Sequence, residues 1–267
     1  NRHLYHFGNS SHHHWMEPLL ERFSGTIVLH DTLLSGYIHS KFTTHGVTAL
    51  LRELFKEEGY DAIVHYMQTD LHQTLMKYPL NKTLISLADG VIVHSDYALK
   101  TLDTSTNALK VPFPKKAQEH LITKQNAKKS LNTDETDFII SSFGFIGATK
   151  CAQELIEAFK QSPLSKNPNI KLIFVGALPQ TAYGETLKTI AKDLNITFVG
   201  YTDEELYKTY LQASDLVVQL RKDSRGESSA ALFDALSFSK PIIINKNGSL
   251  SEFPQTVAYS ISDDFTL

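Results

Sequence analysis

Cysteine is scarce in this chain: only Cys151 is present among 267 residues, which excludes an internal disulfide and a cysteine metal cage. Such scarcity fits a reducing compartment. Runs of about 18 apolar residues, the length needed to span a membrane, are absent. We find no signal-peptide pattern either. The sequence therefore predicts a cytoplasmic chain, and peripheral association with the inner face of a membrane stays open.

Two further absences narrow the class of protein. The formal net charge is only −3, which gives no reason to expect a nucleic-acid partner. No GxGxxG phrase occurs, which argues against an NAD-type dinucleotide site. The composition, with 42% hydrophobic and 21% charged residues, is typical of a globular protein. The chain is also long enough for two domains, each with its own hydrophobic core. Because Asn1 opens the chain and a strand pattern at 257–261 has no closing helix, we expect a fragment of a longer protein.

Strands and helices alternate in the N-terminal part of the chain. Strand patterns lie at residues 4–7, 26–29 and 90–94, and helix patterns lie at 15–23 and 46–59. Residues 61–67 fit either a helix or an extended segment. The alternation predicts a mainly parallel sheet.

A proline-bearing segment at residues 111–116, VPFPKK, interrupts this alternation. We place the domain boundary there, which gives one domain at 1–113 and a second at 114–267. Five further strand-to-helix steps follow, and they predict a second doubly wound domain. The expected fold class is therefore α/β, with two Rossmann-like domains that face a cleft, the N-terminal one incomplete.

The stretch at 216–241 predicts an anion-binding corner at the end of a parallel strand. An apolar strand leads into a polar turn and then into a helix that begins near Ala230. Small residues at the turn let a ligand approach the backbone closely, and the first turn of a helix leaves unpaired N–H groups that suit a phosphate. Ser228 or Ser229 can cap the helix, and Arg221 can bond a phosphate bidentately.

A second corner of this kind follows the strand at 138–143. The phrase FGFIGATKCAQELIEAF ends that strand, turns and starts a helix, with Lys150 at the helix entrance. Lys150 can supply a positive charge to a phosphate, or it can be an ordinary solvated lysine of a turn. We expect both corners on the same sheet edge, where Lys150 and Arg221 together can clamp a diphosphate.

Several phrases in this order resemble the family-4 retaining glycosyltransferases of the GT-B fold. They are FGFIGATKCAQELIEAF, VGYTDEELYKTYLQASDLVVQLR, GESSAALFDALSFSKPIII and NGSLSEFP, and they cover nearly all of residues 138–256. Two N-terminal phrases, YHFGNSSHHHWMEPLLERFSGTIVLHD and ADGVIVHSDYA, resemble the acceptor half of a bacterial polysaccharide-assembly branch of that family. The resemblance implies an acceptor-side domain at 1–113 and a donor-binding domain at 114–267.

On the donor side, the resemblance places Lys150 where the family's lysine contacts the donor diphosphate. The family's accompanying arginine is absent, because Phe145 follows Gly144, and Arg221 is our candidate for the missing cation. The resemblance also implies a donor-binding set of Gly144, Tyr201, Gly226, Glu227, Ser228, Ser229 and Asp234.

The family's pair of glutamates eight apart is altered in this chain. Asp234 occupies the position of the family's second glutamate, which binds the ribose. The first glutamate would lie eight positions earlier, but that residue is Gly226. The nearest acidic residue is the next one, Glu227. We therefore expect Glu227 to contact the sugar. For Asp234 two interpretations stay open, a ribose ligand and a solvent-facing helix residue.

On the acceptor side, the resemblance places His30 at a strand end that faces the acceptor and the transferred sugar. A nearby carboxylate, Asp31, would favour the charged form of His30, provided the chain turns between the two residues. The alternative is a structural histidine that closes the strand. Gly8, Asn9 and His13 match the family's phrase and are expected to line the acceptor side, and His94 is a weaker candidate.

The run His12-His13-His14 invites a metal site, but consecutive side chains do not converge unaided and no HExxH spacing supports one. We expect neither a metal nor a cofactor. The catalytic candidates are His30, Lys150, Arg221 and Glu227.

The leading hypothesis is a retaining hexosyltransferase that uses a UDP- or GDP-type nucleotide sugar as substrate and a glycan or lipid-linked precursor as acceptor. Two alternatives stay open. One is a glycosyltransferase-like module that binds nucleotide or glycan without turnover. The other is a different enzyme of the same plan, such as a nucleotide-sugar epimerase or a phosphorylase.

Overall fold

The computed structural model describes residues 2–118 and 122–265 of the chain. The chain divides into two compact units. The first consists of Asn1–Phe113 together with Asp223–Ser228, and the second of Pro114–Lys222 together with Ser229–Leu267.

The sequence-based boundary assigned residues 223–228 to the second domain, whereas the structure groups this segment with the first unit. The physical reason is hydrogen bonding, because the backbone N–H groups of Thr32 and Leu33 both donate to the Arg225 carbonyl, at 2.8 and 2.9 Å.

A four-stranded parallel sheet forms the centre of the first unit. Its strands, in spatial order, are β1 (Leu4–Phe7), β2 (Thr26–Leu29), β3 (Gly90–Val93) and β4 (Ala108–Lys110). Its helices are α1 (Glu17–Arg22), α2 (Ser35–His45), α3 (Val47–Glu58), α4 (Tyr60–Gln68), α5 (Leu71–Lys77), α6 (Lys82–Leu87) and α7 (Asp96–Thr101). A 3₁₀ turn at Ser11–Met16 precedes α1.

The core of the first unit forms where apolar strand residues meet the helices. Phe7, Ile27 and Val93 are fully buried in the sheet, and Leu50 and Leu54 of α3 pack into the same cluster. Leu50 and Leu54 lie one helical turn apart, so one face of α3 covers the sheet. The polar ends of the strands are thereby left at the sheet edge.

The second unit has a six-stranded sheet in which each paired strand is parallel to its neighbour. Its strands are β5 (Phe138–Phe143), β6 (Ile170–Val175), β7 (Ile196–Gly200), β8 (Leu216–Gln219), β9 (Ile242–Asn245) and β10 (Tyr259–Ile261). Its helices are α8 (Lys124–Ser130), α9 (Ala152–Gln161), α10 (Ala182–Ala191), α11 (Glu204–Ala213) and α12 (Ala230–Ser237). Shorter 3₁₀ turns lie at Ala148–Lys150, Pro163–Lys166 and Gly248–Glu252.

Helices cover both faces of this sheet, because neighbouring strand residues point to opposite sides. Ile139 packs in the cluster that contains Leu211 of α11 and Leu232 of α12, whereas the next residue, Ile140, packs with Ile156 of α9. The unit is thus a doubly wound α/β layer, and the predicted α/β class with parallel sheets is confirmed.

The order of strands in the second unit is β10-β9-β8-β5-β6-β7. The chain starts in the middle with β5, proceeds outward through β6 and β7, and then returns to the other side of β5 with β8. The reversal point of such a sheet therefore lies between β5 and β8, and ligands of open α/β sheets bind at this point, outside the carboxyl ends of the strands.

Most sequence-based elements are confirmed with small shifts of their ends. The undecided residues 61–67 lie in helix α4, and the predicted helix at 15–23 is a 3₁₀ turn followed by the short α1. Helices α2, α5 and α6 and strand β4 were not predicted from the sequence. Within residues 2–118 and 122–265, no helix is long and apolar enough to cross a membrane.

Candidate functional site

Two loops meet at the reversal point of the second unit's sheet. Strands β5 and β8 pair there, with Ile140 opposite Leu216 and Ser141 opposite Val217. The loop after β5 contains Lys150, and the loop after β8 contains Arg221. The backbone N–H of Lys222 donates to the Thr149 carbonyl at 3.0 Å, so the two loops are directly joined.

The loop after β5 is shaped by two glycines. Gly144 has a φ of +99°, and a Cβ atom there would lie 3.6 Å from the Lys150 ammonium nitrogen. The Lys150 ammonium therefore lies close to the end of β5. Gly176, at the end of β6, packs so closely that a Cβ on it would overlap the Gly144 carbonyl oxygen. The Gly144 N–H also donates to the Val175 carbonyl at 2.9 Å, which holds the loop against β6.

Asn245, at the end of β9, holds the loop after β8. Its Oδ1 accepts from the Arg221 N–H at 2.8 Å, and its Nδ2 donates to the Arg221 carbonyl and to Asp263 Oδ1, both at 2.6 Å. The side chain is completely buried. Sequence reasoning missed this residue, although an asparagine that ends the apolar run of a buried strand was a usable signal. Asn245 is a positioning residue for the Arg221 backbone.

We expect Asn245→Ala to lower the free energy of unfolding by about 2 kcal/mol, because it removes the side chain that bonds the partly buried N–H and C=O groups of Arg221. It should also weaken nucleotide binding. Asn195→Ala is the matched control, since Asn195 likewise donates to two carbonyls, of Pro168 and Ile170, but just before the start of β7. Chemical denaturation and UDP titration measure both effects. Equal nucleotide affinity in the two variants would contradict the positioning role.

Lys222 is a third cation of these loops, and its charge is paired with a carboxylate of α9. Its ammonium lies 2.8 Å from Glu154 Oε1 in α9. This hydrogen bond to a carboxylate raises the pKa of Lys222. Lys222 therefore links the β8 loop to α9, and sequence reasoning did not single it out.

The segment Asp223–Ser228 carries three of the predicted site residues and belongs to the first unit. Gly226 was expected to leave the backbone open to a ligand, but a Cβ there would overlap the Thr32 hydroxyl. That expectation is wrong, because the space at Gly226 is filled by Thr32. Glu227 Oε2 accepts from the Arg225 N–H at 2.7 Å and from the Ser224 hydroxyl at 3.3 Å. Ser228 is the last residue of the segment.

Helix α12 begins directly after this segment. Ser229 is its N-cap, and the Ser229 hydroxyl accepts from the Leu232 N–H at 3.4 Å. Of the two serines that could cap this helix, the structure uses Ser229.

Asp234 and Tyr201 lie elsewhere in the second unit. The Asp234 carboxylate pairs with Lys115 and accepts from the Tyr207 hydroxyl at 3.2 Å. Burial is the main cause that raises the pKa of Tyr207, and the negative charge of Asp234 is the second. Asp234 is therefore held by two partners, and its role as a ribose ligand stays a prediction. Tyr201 follows the edge strand β7 and is 88% exposed, so the structure does not bring it to the corner between β5 and β8.

In the first unit, three histidine rings lie close together at the carboxyl edge of the sheet. His6 Nδ1 lies 3.0 Å from His30 Nε2, and their rings are stacked with centroids 5.2 Å apart. The His94 ring lies 5.6 Å from that of His30. His94 Nδ1 donates to the Val111 carbonyl at 2.9 Å, which fixes its tautomer. His30 and His94 were predicted at this edge, whereas His6 was not singled out as a partner.

Burial lowers the pKa of His30 to about 4, and repulsion from the neighbouring His6, His94 and His13 adds to this effect. The expectation that a nearby carboxylate favours the charged form is therefore wrong. Burial also lowers the pKa of His13. Near neutral pH, His30 is an uncharged imidazole that can accept a proton or a hydrogen bond.

Because the pKa of His30 is about 6.5 in the unfolded chain and about 4 in the folded one, the unfolded state binds the extra proton between these pH values. Stability should thus fall as the pH is lowered through this window. We expect His30→Gln to flatten the fall in denaturation midpoint between pH 7 and pH 4.5. His45→Gln, at an exposed position, is the control and should keep the wild-type slope. Identical slopes in all three proteins would refute the assignment.

The remaining acceptor-side candidates hold the backbone of the first unit. The Asn9 N–H donates to Asp31 Oδ2 at 2.9 Å. Asn9 Oδ1 accepts from the Gly36 and Tyr37 N–H groups, and so caps α2 from a distant loop. A Cβ on Gly8 would lie 2.9 Å from the His13 Nε2 atom, so the His13 ring packs over Gly8.

Among the residues that the structure describes, no group of three His, Cys, Asp or Glu side chains is placed to hold a metal ion.

The comparisons with known proteins agree with this architecture. Residues 123–255, just under half of the chain, match the model of the family described as glycosyl transferases group 1. No curated protein has significant sequence similarity to the chain.

Solved structures that resemble this chain have the GT-B fold of glycosyltransferases. One is sucrose-phosphate synthase from Thermosynechococcus elongatus, with a TM-score of 0.65 and 18% identity over 98% of this chain and 61% of the other. Another is Alr3699/HepE of Anabaena in complex with UDP, with a TM-score of 0.63 and 15% identity over 93% of this chain and 63% of the other.

A third structure is WaaG, a glycosyltransferase involved in lipopolysaccharide biosynthesis, with a TM-score of 0.62 and 13% identity over 95% of this chain and 69% of the other. The chain spans about three fifths of the length of the first two structures. These comparisons show that the chain has the GT-B fold, and residues 123–255 match the model of the group 1 glycosyl transferases.

Proposed function

We propose that this chain is a retaining glycosyltransferase that moves a hexose or related sugar from a UDP- or GDP-type nucleotide sugar to a glycan or lipid-linked acceptor. The observation that carries this proposal is the corner between β5 and β8. Lys150 and Arg221 follow neighbouring strands at the reversal point of a parallel sheet, and the two loops are joined by the hydrogen bond from Lys222 to Thr149.

In this proposal, Lys150 and Arg221 stabilise the negative charge that develops on the leaving diphosphate. Cations that are fixed before the reaction cost little reorganisation when the charge appears. The N-terminus of α12, capped by Ser229, adds the partial positive charge of a helix end. These protein groups do the work for which other enzymes use a divalent metal ion.

Glu227 and His30 are proposed to act on the sugars. Glu227 holds hydroxyl groups of the transferred sugar, and His30, uncharged near neutral pH, accepts a hydrogen bond from the acceptor hydroxyl. A uridine donor is supported by the similar structure of Anabaena Alr3699/HepE, which is a complex with UDP. A cytoplasmic location with peripheral membrane association is part of the proposal, and fractionation of cells that express the protein tests it.

The direct test is a thermal-shift and turnover panel of UDP-, GDP-, ADP- and dTDP-sugars. The proposal expects stabilisation by one nucleotide class, release of that nucleoside diphosphate, and a product with the donor's anomeric configuration by NMR. Binding with no chemical change in the nucleotide sugar would favour the non-catalytic module. Conversion of the nucleotide sugar to its epimer, with no net release of nucleotide, would favour an epimerase. Turnover with a sugar phosphate and no nucleotide would favour a phosphorylase.

A further inference from the structure

An open cavity of about 330 Å³ lies within the first unit, where it is lined by α2, α5 and Arg225. Leu71, Leu75 and Met76 of α5 form an apolar wall. Ser35 and Arg225 supply polar groups. Ligand pockets of 300 Å³ or more with a few polar groups in an apolar lining suit small molecules.

Two residues that line this cavity have a buried polar atom with no hydrogen-bond partner among the described residues. One is the hydroxyl of Ser35, which is only 2% exposed, and the other is the Arg225 Nε–H. Buried donors and acceptors are nearly always hydrogen-bonded, and leaving one unpaired costs free energy. Ser35 and Arg225 both line the cavity.

The charge of the cavity is positive. Arg225 Nη2 lies 3.9 Å from the sulfur of Met76, which is only a weak acceptor. No carboxylate within residues 2–118 and 122–265 forms an ion pair with the Arg225 guanidinium, and the lining residues in this part of the chain include no Asp or Glu. Glu227 accepts from the backbone N–H of Arg225 and so leaves the guanidinium in place for another anion.

The backbone of Arg225 is firmly held. Its carbonyl accepts from the N–H groups of Thr32 and Leu33 and from the Thr32 hydroxyl at 3.3 Å. The backbone from which the Arg225 side chain extends is therefore preorganised.

We infer that this cavity is a subsite for an acidic sugar of the acceptor, and this inference rests on the proposed glycosyl transfer. Arg225 pairs with a carboxylate or a phosphate ester, the Ser35 hydroxyl bonds an oxygen of the same sugar, and the C–H face of the ring packs on Leu71, Leu75 and Met76. Bidentate pairing with an acid is the interaction for which a guanidinium is best suited.

The test compares acidic and neutral sugars by calorimetric titration of the whole chain. Wild-type protein should bind glucuronate or glucose 6-phosphate at least about tenfold more tightly than glucose, since hydrogen bonds to charged groups are the strong ones. Comparison of the affinities for glucuronate and glucose 6-phosphate shows whether the site prefers a carboxylate or a phosphate. Arg225→Gln should abolish the preference, and Arg22→Gln, whose guanidinium lies over the exposed Phe23 ring, should retain it.

Three results would overturn the inference. They are equal affinity of wild-type protein for glucose and both acids, an undiminished preference in Arg225→Gln, and inorganic phosphate or acetate binding as tightly as the acidic sugars. If Arg225→Gln does not fold, Ser35→Ala takes its place, and unchanged affinity for the acids in that variant would count against the site.

A parallel UDP titration keeps the two proposals apart. Protein that binds UDP but shows no acid preference loses only this inference, whereas protein that binds no nucleotide loses the proposed function.

Discussion

Replacing Lys150 and Arg221 together by alanine is expected to lower turnover with the nucleotide-sugar donor at least about a thousandfold. Both cations are proposed to stabilise the charge of one leaving diphosphate, and removal of a single fixed donor of this kind typically costs a factor of about 10² to 10³. The loss should fall mainly on kcat, because the charge is largest in the transition state. A smaller rise in KM should accompany it.

The matched control for this experiment is Lys160→Ala with Lys192→Ala, which removes two exposed lysines of the same unit. It should leave turnover unchanged and so exclude a general effect of net charge. Full turnover in the Lys150 and Arg221 double variant would remove the proposed mechanism. Loss of turnover in Lys150→Ala but not in Arg221→Ala would show that another group replaces the family's missing arginine.

Gly176→Ala should lower the free energy of unfolding by about 3 kcal/mol and weaken UDP binding as well. The added methyl group would overlap the Gly144 carbonyl oxygen, and the φ of +152° at Gly176 is itself a glycine conformation. The backbone at Gly144 must move to relieve this overlap. The loop after β5, which carries Lys150, should therefore shift with it. Denaturation midpoints and UDP calorimetry measure the two effects.

Gly200→Ala separates backbone strain from steric overlap. Gly200 has a φ of +84°, but no atom of the described residues lies within 4 Å of a Cβ built there. This control should cost only about 1 kcal/mol and leave UDP affinity unchanged. If both glycine variants lost the same stability, the contact between Gly176 and Gly144 would not be what positions the loop.

The position of Lys150 and Arg221 in turns after β5 and β8 could be predicted from the sequence because each turn is a local feature. The apolar runs at 138–143 and 216–219 read as buried strands, and each is followed by a turn with a cation, Lys150 or Arg221. A parallel sheet then places both turns at the same edge. The adjacency of β5 and β8 could not be read from strand order along the chain, because β6 and β7 lie between them in sequence.

Other parts of the site depended on contacts between distant segments. The space at Gly226 is taken by Thr32, which lies 194 positions earlier, and the Arg221 backbone is held by Asn245 on another strand. The low pKa of His30 arises from burial and from neighbours on β1 and after β3. The adjacent Asp31, which sequence reasoning paired with His30, accepts instead from the Asn9 N–H with its Oδ2.

Residue order alone determined the α/β class, the alternation of strands and helices, and the position of Lys150 and Arg221 in strand-to-helix turns. These features depend on periodicity and turn chemistry within about ten residues, which short-range sterics and hydrophobic patterning specify. Only the tertiary structure decided that β8 returns beside β5, that residues 223–228 pack with the first unit, and that Arg225 and Ser35 share a cavity. Those outcomes depend on which distant surfaces bury one another, and no local pattern carries that information.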